Sequence, residues 1–119
     1  MSNKLQKLFF FVILIISTGC NKSELEIAHE LYIENCVICH SLDGKQKVGP
    51  SLKEIYGKNA ELIDGTIITR DDSYLRTSII HPEKHIVKGS RGAMISYQNI
   101  LSADEIELLI KYIKNNLER

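Results

Sequence analysis

The sequence predicts an all-α domain, and two observations carry this prediction. Apolar residues recur at helical spacing in three segments, which begin near residues 23, 71 and 102. Two of these segments open with a serine followed three residues later by a glutamate, which is the capping-box pattern of a helix N-terminus. None of the segments is long enough to form a stable helix alone, so we expect them to pack around something that lies between them.

Capping boxes mark the first and the last helix. Ser23 opens the first, which runs straight into Cys36, and Ser102 opens the last. The apolar residues of the first helix are Leu25, Ala28, Leu31 and Tyr32, and those of the last are Ile106, Leu109, Ile110, Ile113 and Leu117.

Shorter elements are predicted between the two helices. After a break at Gly49-Pro50, Ser51 is predicted to cap a short helical turn that Gly57 closes. An Asp-Gly pair then separates two short β-prone runs within residues 61–69, so we expect a small hairpin or turn there.

A third helix and a long loop follow. Asp71 or Asp72 starts the helix, and Pro82 ends it. Residues 83–99 contain glycine and serine breaks and no sustained period, so they are predicted to form an ordered loop that carries Met94.

The N-terminus resembles a secretion signal. Lys4 and Lys7 precede an apolar run, Leu8–Ile16, which is too short to span a bilayer comfortably and fits the apolar region of a signal peptide. Residues 1–19 are therefore predicted to be a signal peptide, with an uncleaved anchor helix as the alternative. In either case we expect a domain outside the cytoplasm, facing the periplasm or the cell exterior.

The end of this segment resembles the cleavage box of bacterial lipoproteins. The box reads S-T-G-C, although Ser17 stands where that pattern usually has leucine. The resemblance implies that Cys20 carries a lipid and holds the protein on a membrane. Residues 20–24 would then be a tether, and residues 25–119 the folded domain.

The net charge gives no reason to expect a nucleic-acid partner. Without residues 1–19 the chain has 13 basic and 15 acidic residues. This slightly acidic balance lacks the clustered positive charge that binds nucleic acid.

The stretch N-C-V-I-C-H-S contains the motif on which the functional prediction depends. Cys36 and Cys39 could hold a zinc ion, cycle between dithiol and disulfide, or bond covalently to a haem. A structural zinc site needs four ligands, and the sequence has no second C-x-x-C and no H-x-x-x-H. A thioredoxin-like site needs alternating strands and helices, which the flanking sequence does not offer. The histidine directly after the second cysteine favours a c-type haem attachment site.

Together these segments resemble a class I c-type cytochrome over Leu25–Leu117. The matching motifs are A-H-E-L-Y-I-E-N-C-V-I-C-H for the first helix, V-G-P-S-L after the attachment site, and L-I-K-Y-I-K in the last helix. The resemblance implies the class I cytochrome c fold, with three to five helices around one covalently attached haem c. It also implies that the first and last helices cross where the small residue Ala28 lets their backbones approach, and we expect the contact to include Tyr32, Leu109 and Tyr112.

The resemblance also implies a role for each residue of the site. Cys36 and Cys39 would form thioether bonds to the haem, and His40 would be the proximal iron ligand. The carbonyl group of Pro50 would accept a hydrogen bond from His40. Met94 would be the second axial ligand, as in cytochromes with Met/His ligation.

Within the family, several segments look most like the haem domain fused to subunit II of bacterial haem-copper oxidases. These segments are G-P-S-L-K-E-I-Y-G-K, L-I-D-G-T-I-I-T-R-D-D-S-Y-L-R-T-S-I-I-H-P and I-V-K-G. The chain departs from that subtype at Ser90, where an aromatic residue is usual, and at Ile95, where proline usually follows the ligand methionine. A loop without this proline is expected to be less rigid.

Other side chains have both a functional and a structural interpretation. Met94 could instead fill a gap in the core, and His29, His81 and His85 are alternative sixth ligands for which surface roles are expected. Contacts to the haem propionates are predicted for Tyr56, Tyr74 and Tyr97, although buried tyrosines find hydrogen-bond partners in any case. A docking patch could form from Lys45, Lys47, Lys84, Lys88 and Arg91, which could equally be solvated surface.

The sequence therefore predicts an exported, membrane-tethered monohaem cytochrome that carries single electrons in a respiratory chain to a terminal oxidase. It would be an electron carrier and not an enzyme. Its expected partners are a haem-copper oxidase and a quinol-oxidising complex. The alternative is a haem-based sensor or ligand-binding module in which a small molecule displaces Met94.

Overall fold

A computed structural model describes residues 21–115 of the chain. Within that range lie three α-helices, a two-stranded sheet and one short 3-10 helix. In chain order they are α1 (Glu24–Asn35), β1 (Asn59–Glu61), β2 (Ile67–Thr69), α2 (Asp72–Ile80), the 3-10 helix (Pro82–Lys84) and α3 (Ala103–Asn115). The predicted all-α class is confirmed.

Two predicted features lie outside the described residues. They are the N-terminal segment up to and including Cys20, and Leu117 at the end of the last helix. Between residues 21 and 115, no helix is both long enough and apolar enough to cross a membrane.

The helix starts have the predicted side-chain caps. In α1 the Ser23 side chain accepts a hydrogen bond from the backbone of Glu26, whose carboxylate accepts one from the Ser23 N–H at 2.8 Å. In α3 the Ser102 N–H donates to the Glu105 carboxylate at 2.7 Å. Asp71 caps α2 by accepting from the N–H of Tyr74 at 2.8 Å. These bonds satisfy N–H groups that have no partner within the helix.

The hairpin is also present, and β1 pairs antiparallel with β2. Its turn contains the Asp-Gly pair, and the Asp64 carboxylate accepts a hydrogen bond from the N–H of Thr66 at 2.9 Å. The predicted helical turn from Ser51 to Gly57 is wrong, because this segment forms two tight turns. Positive φ angles of 53° at Glu54 and 75° at Gly57 interrupt any helical run.

The core is built where α1 packs against α3, with α2 also packed against α3. Ala28 and Leu109 are almost completely buried, and the rings of Tyr32 and Tyr112 lie 5.6 Å apart. The expected crossing of the first and last helices is therefore confirmed. This crossing places the C-terminal end of α1, and the cysteine motif that follows it, against the core.

Candidate functional site

The cysteine motif forms the turn that ends α1. The Cys36 N–H donates to the Tyr32 carbonyl at 2.8 Å, so Cys36 caps the helix. Bonds from the N–H groups of Cys39 (3.1 Å) and His40 (2.8 Å) to the Cys36 carbonyl continue the turn. Both cysteines are partly buried free thiols. One turn of backbone thus brings two thiols and an imidazole into the same region.

The imidazole of His40 is fixed by its backbone surroundings. Its Nδ1 atom lies 2.7 Å from the Pro50 carbonyl oxygen, so Nδ1–H donates and Nε2 is left with the lone pair. The ring also lies against Gly49, where an added Cβ would come within 2.3 Å of the His40 Cε1 atom. Burial lowers the pKa of His40, although the hydrogen bond to Pro50 acts in the opposite direction. A neutral imidazole with a free Nε2 is the form that binds metals.

The peptide around His40 has further supports. The Tyr32 hydroxyl donates to the His40 carbonyl at 2.9 Å, and the Gly49 N–H donates to the Cys39 carbonyl at 2.9 Å. The first bond ties the motif to the helix crossing, and the second ties it to the segment that contains Pro50. The position of His40 is therefore set by two separate parts of the fold.

The electrostatics of Cys36 do not favour thiol–disulfide chemistry. Burial, with a smaller contribution from Cys39, raises the pKa of Cys36 to about 11. Since the thiolate is the reactive form in thiol–disulfide exchange, this environment suppresses that reaction near neutral pH.

Nowhere in residues 21–115 do three or more His, Cys, Asp or Glu side chains group to hold a metal ion.

Met94 lies on the loop between α2 and α3 and is half-buried against the same core as Cys36. Three residues later, the Tyr97 hydroxyl donates to the carbonyl of Asn35 at 2.6 Å. Asn35 is the last residue of α1 and directly precedes Cys36. The structure thus joins the Met94 loop to the cysteine motif, although the two are far apart in the sequence.

The other candidate side chains have varied partners. The Tyr56 hydroxyl donates to Asp72 at 2.6 Å, and the Tyr97 hydroxyl donates to the Asn35 carbonyl. A haem propionate would have to share or replace these hydrogen-bond partners. The buried ring of Tyr74 stacks on His85 at 4.8 Å. The exposed side chain of His29 has its Nδ1 atom 2.7 Å from the hydroxyl of Tyr112.

The remaining histidine, His81, lies 3.5 Å from the Glu83 carboxylate and is partly exposed.

A cavity of about 250 Å³ lies beside Pro50. Its lining includes Gln46, Ser51, Arg70, Lys88 and Ser90. Of these, Gln46 and Arg70 were not singled out from the sequence, because nothing in the local spacing of either residue indicates a shared cavity. Both basic side chains of the lining are bonded elsewhere, Arg70 to the Asn59 carbonyl at 3.2 Å and Lys88 to the Glu61 carboxylate at 2.7 Å.

The fold and the site define the class of protein as a class I c-type cytochrome. A profile of the cytochrome c family matches residues 25–116, and the chain belongs to that family. The family's cofactor is one covalently attached haem c, and Cys36 and Cys39 have the spacing that its attachment requires. Family membership thus selects haem over the zinc and thiol-redox alternatives.

Two relatives extend this comparison. The chain is 30% identical to cytochrome c2 iso-2 of Magnetospirillum molischianum over 89 residues, which cover 66% of this chain and 88% of the relative. It is 29% identical to a nitrite reductase of Stutzerimonas stutzeri over 92 residues, or 77% of this chain. The match covers only 16% of that reductase.

The residues of the site fit a haem. The two free thiols lie on one turn, and the imidazole presents Nε2 because Pro50 engages its other nitrogen. Gly49 leaves room for the ring of His40 where any side chain would collide with it. A nitrogen donor, a thioether on the adjoining loop and an apolar core are the surroundings that haem iron has in electron-transfer cytochromes.

Proposed function

We propose that this monohaem electron carrier is exported, tethered to a membrane through lipidated Cys20, and delivers electrons to a terminal oxidase of a respiratory chain. Cys36 and Cys39 form the thioether bonds to haem. His40, through Nε2, and Met94, through its sulfur, would bind the iron. The observation that carries the proposal is the hydrogen bond from His40 to Pro50, because it leaves Nε2 as the nitrogen that faces a metal.

When bound, haem supplies the redox chemistry, a single electron gained and lost at iron. The protein's part is to hold the ligands in one arrangement in both oxidation states. The Pro50 carbonyl fixes the orientation of His40, and the bond from Tyr32 to the His40 carbonyl fixes its backbone. If His40 and Met94 both bound the iron, they would leave no position for a substrate, which favours a carrier over an enzyme.

The proposed partners rest on resemblance and charge. The segments similar to the haem domain of haem-copper oxidases support an oxidase as the acceptor, and the donor would be a quinol-oxidising complex. Two backbone-anchored contacts, from Gln46 to Gly89 at 2.9 Å and from Arg91 to Val48 at 3.1 Å, bring two basic loop segments together. The segments contain Lys45, Lys47, Lys88 and Arg91.

Some of this positive charge is already paired. Lys88 contacts Glu61 at 2.7 Å, and Lys45 contacts Asp43 at 3.3 Å. Among the described residues, Lys84 and Arg91 have no ion-pair partner. Lys47, whose ammonium donates to the Val37 carbonyl, likewise has no ion-pair partner among the described residues, so the docking surface we propose depends most on these three side chains.

The proposal is tested with protein made together with a haem-attachment system. The pyridine haemochrome spectrum should show one covalent haem, and changing Cys36 and Cys39 to serine should abolish it. Reduced holoprotein should then be oxidised rapidly by membranes that contain a haem-copper oxidase, and cyanide should block this oxidation. Catalytic turnover of nitrite by the holoprotein alone would contradict the carrier proposal.

A further inference from the structure

Tyr97 connects the Met94 loop to the attachment site by one side-chain hydrogen bond. Its hydroxyl donates to the Asn35 carbonyl at 2.6 Å, while its ring is buried, with 8% of its surface exposed. A buried hydrogen bond of this kind stays in place because breaking it leaves a polar group without a partner. The connection joins a residue three positions after Met94 to the residue directly before Cys36.

The backbone around Tyr97 is fixed as well. The Tyr97 N–H donates to the Ile79 carbonyl at 3.0 Å, and the Ser96 hydroxyl donates to the Ile80 carbonyl at 2.5 Å. Both acceptors lie in the last turn of α2. The downstream side of Met94 is therefore attached to the ends of two helices.

The upstream side of Met94 is attached to the loop that precedes Pro50. The Arg91 N–H donates to the Val48 carbonyl at 3.1 Å. At Gly92 an added Cβ would lie 2.9 Å from the Val48 Cγ1 atom, so the two chains are in close contact there. Only residues 93–95 separate these two sets of contacts.

We infer that Tyr97 is a positioning residue that holds Met94 at the haem, by joining the Met94 loop to the end of α1. The inference rests on the proposed ligation by Met94. Ile95 is 60% exposed and stands where related domains have proline, so no proline ring limits the backbone after the ligand. Hydrogen bonds from Tyr97 and its neighbours supply the restraint instead.

Tyr97→Phe tests this role in the holoprotein, because it removes the hydroxyl and keeps the ring. A hydrogen bond of ordinary strength corresponds to a change of roughly threefold to tenfold in an equilibrium. We expect carbon monoxide to bind reduced Tyr97→Phe about threefold to tenfold faster than it binds the wild type. The ferric charge-transfer band characteristic of methionine sulfur on iron should weaken in parallel.

Tyr112→Phe is the matched control, because it also removes one tyrosine hydroxyl, which there faces His29 at 2.7 Å in the helix crossing. It should leave the charge-transfer band and carbon monoxide binding unchanged. In a Met94→Ala background, Tyr97→Phe should have no further effect on carbon monoxide binding. If Tyr97→Phe holoprotein does not fold, Ser96→Ala provides the test, because Ser96 is exposed. Ser96→Ala should also accelerate carbon monoxide binding and weaken the charge-transfer band, but by less than Tyr97→Phe.

Three results would overturn the inference, and they are distinguishable. If the wild type has the band but Tyr97→Phe and Ser96→Ala bind carbon monoxide as slowly as the wild type, Tyr97 does not position Met94. If Tyr112→Phe accelerated carbon monoxide binding as much as Tyr97→Phe, the conclusion would be the same, because the effect would then follow from destabilisation of the whole domain. If the wild type lacks the band, ligation by Met94 fails, and the inference fails with it.

Discussion

The Nδ1 atom of His40 lies 2.7 Å from the Pro50 carbonyl oxygen, and the residue before that proline, Gly49, contacts the same ring. The hydrogen bond orients the imidazole, and the glycine sets how closely the backbone approaches it. Resemblance to c-type cytochromes predicted the hydrogen bond. The close approach at Gly49 is seen only in the structure.

Gly49→Ala should displace His40, because the new Cβ would lie 2.3 Å from the Cε1 atom of the ring. We expect overpacking to cost roughly 1–3 kcal/mol and the haem spectrum to change. Gly57→Ala is the control: it introduces backbone strain at a φ of 75° but no contact within 4 Å, so stability should fall without a spectral change. Thermal unfolding and absorbance spectra of both holoproteins measure this difference, and an unaltered Gly49→Ala spectrum would contradict it.

Ala28→Leu should destabilise the crossing of α1 and α3. Ala28 is 3% exposed and belongs to the same buried cluster as Tyr32 and Tyr112, so a larger side chain would have to displace its neighbours. The expected loss is roughly 1–3 kcal/mol in the free energy of unfolding, measured by denaturant titration. Glu34→Leu, which adds the same side chain at an exposed position of α1, should change stability far less. Equal stabilities for the two variants would mean that the crossing tolerates the added volume.

Reversing two charges should slow electron delivery if the proposed docking surface is correct. Replacing Lys84 and Arg91 with glutamate should lower the rate of oxidase reduction by about tenfold at low salt, because exposed charges steer the encounter. The difference should shrink as ionic strength rises. Lys111→Glu is the control, because Lys111 contacts Glu24 at the start of α1, about 18 Å along the helix from Cys36. A rate that is independent of salt in the wild type would argue against electrostatic docking.

Lipidation at Cys20 is a prediction from the sequence alone. Mass spectrometry of protein extracted from membranes should find a diacylglyceryl-modified cysteine at the mature N-terminus. Cys20→Ala should release the domain from the membrane and leave its haem spectrum intact. A chain that begins with unmodified Met1 would contradict the prediction.

Short sequence patterns correctly predicted the starts of the helices and the turn of the hairpin. The capping residues Ser23, Asp71 and Ser102 open helices as expected, and the Asp-Gly pair lies in the hairpin turn. Ser51 shows the limit of such signals, because a serine cap also suits a tight turn. Its hydroxyl accepts from the N–H groups of Gly44 and Lys53, both at 3.1 Å, so it stabilises turns and not a helix.

Apart from the helix crossing and the bond from His40 to Pro50, which the family resemblance implied, contacts between distant segments were not predicted, because periodicity and spacing describe only neighbours in the chain. The bond from Tyr97 to Asn35 joins residues 62 positions apart, and that from Gln46 to Gly89 joins residues 43 apart. The hydrogen bond from the Tyr56 hydroxyl to Asp72 also joins residues that are distant in the sequence, 16 positions apart. These contacts arrange the candidate site, whereas the residues that bind the haem were predicted from the attachment motif and the family resemblance.

The most direct test of the account is carbon monoxide binding and the midpoint potential of Met94→Ala compared with the wild type. A thioether ligand favours ferrous iron, and axial ligands as a class move haem potentials over ~0.8 V. If Met94 is the ligand of an electron carrier, the reduced wild type should bind carbon monoxide slowly or not at all. The reduced variant should bind carbon monoxide readily, and its midpoint potential should be lower than that of the wild type. Fast binding by the wild type, with a potential that the mutation does not change, would contradict the account and favour the sensor.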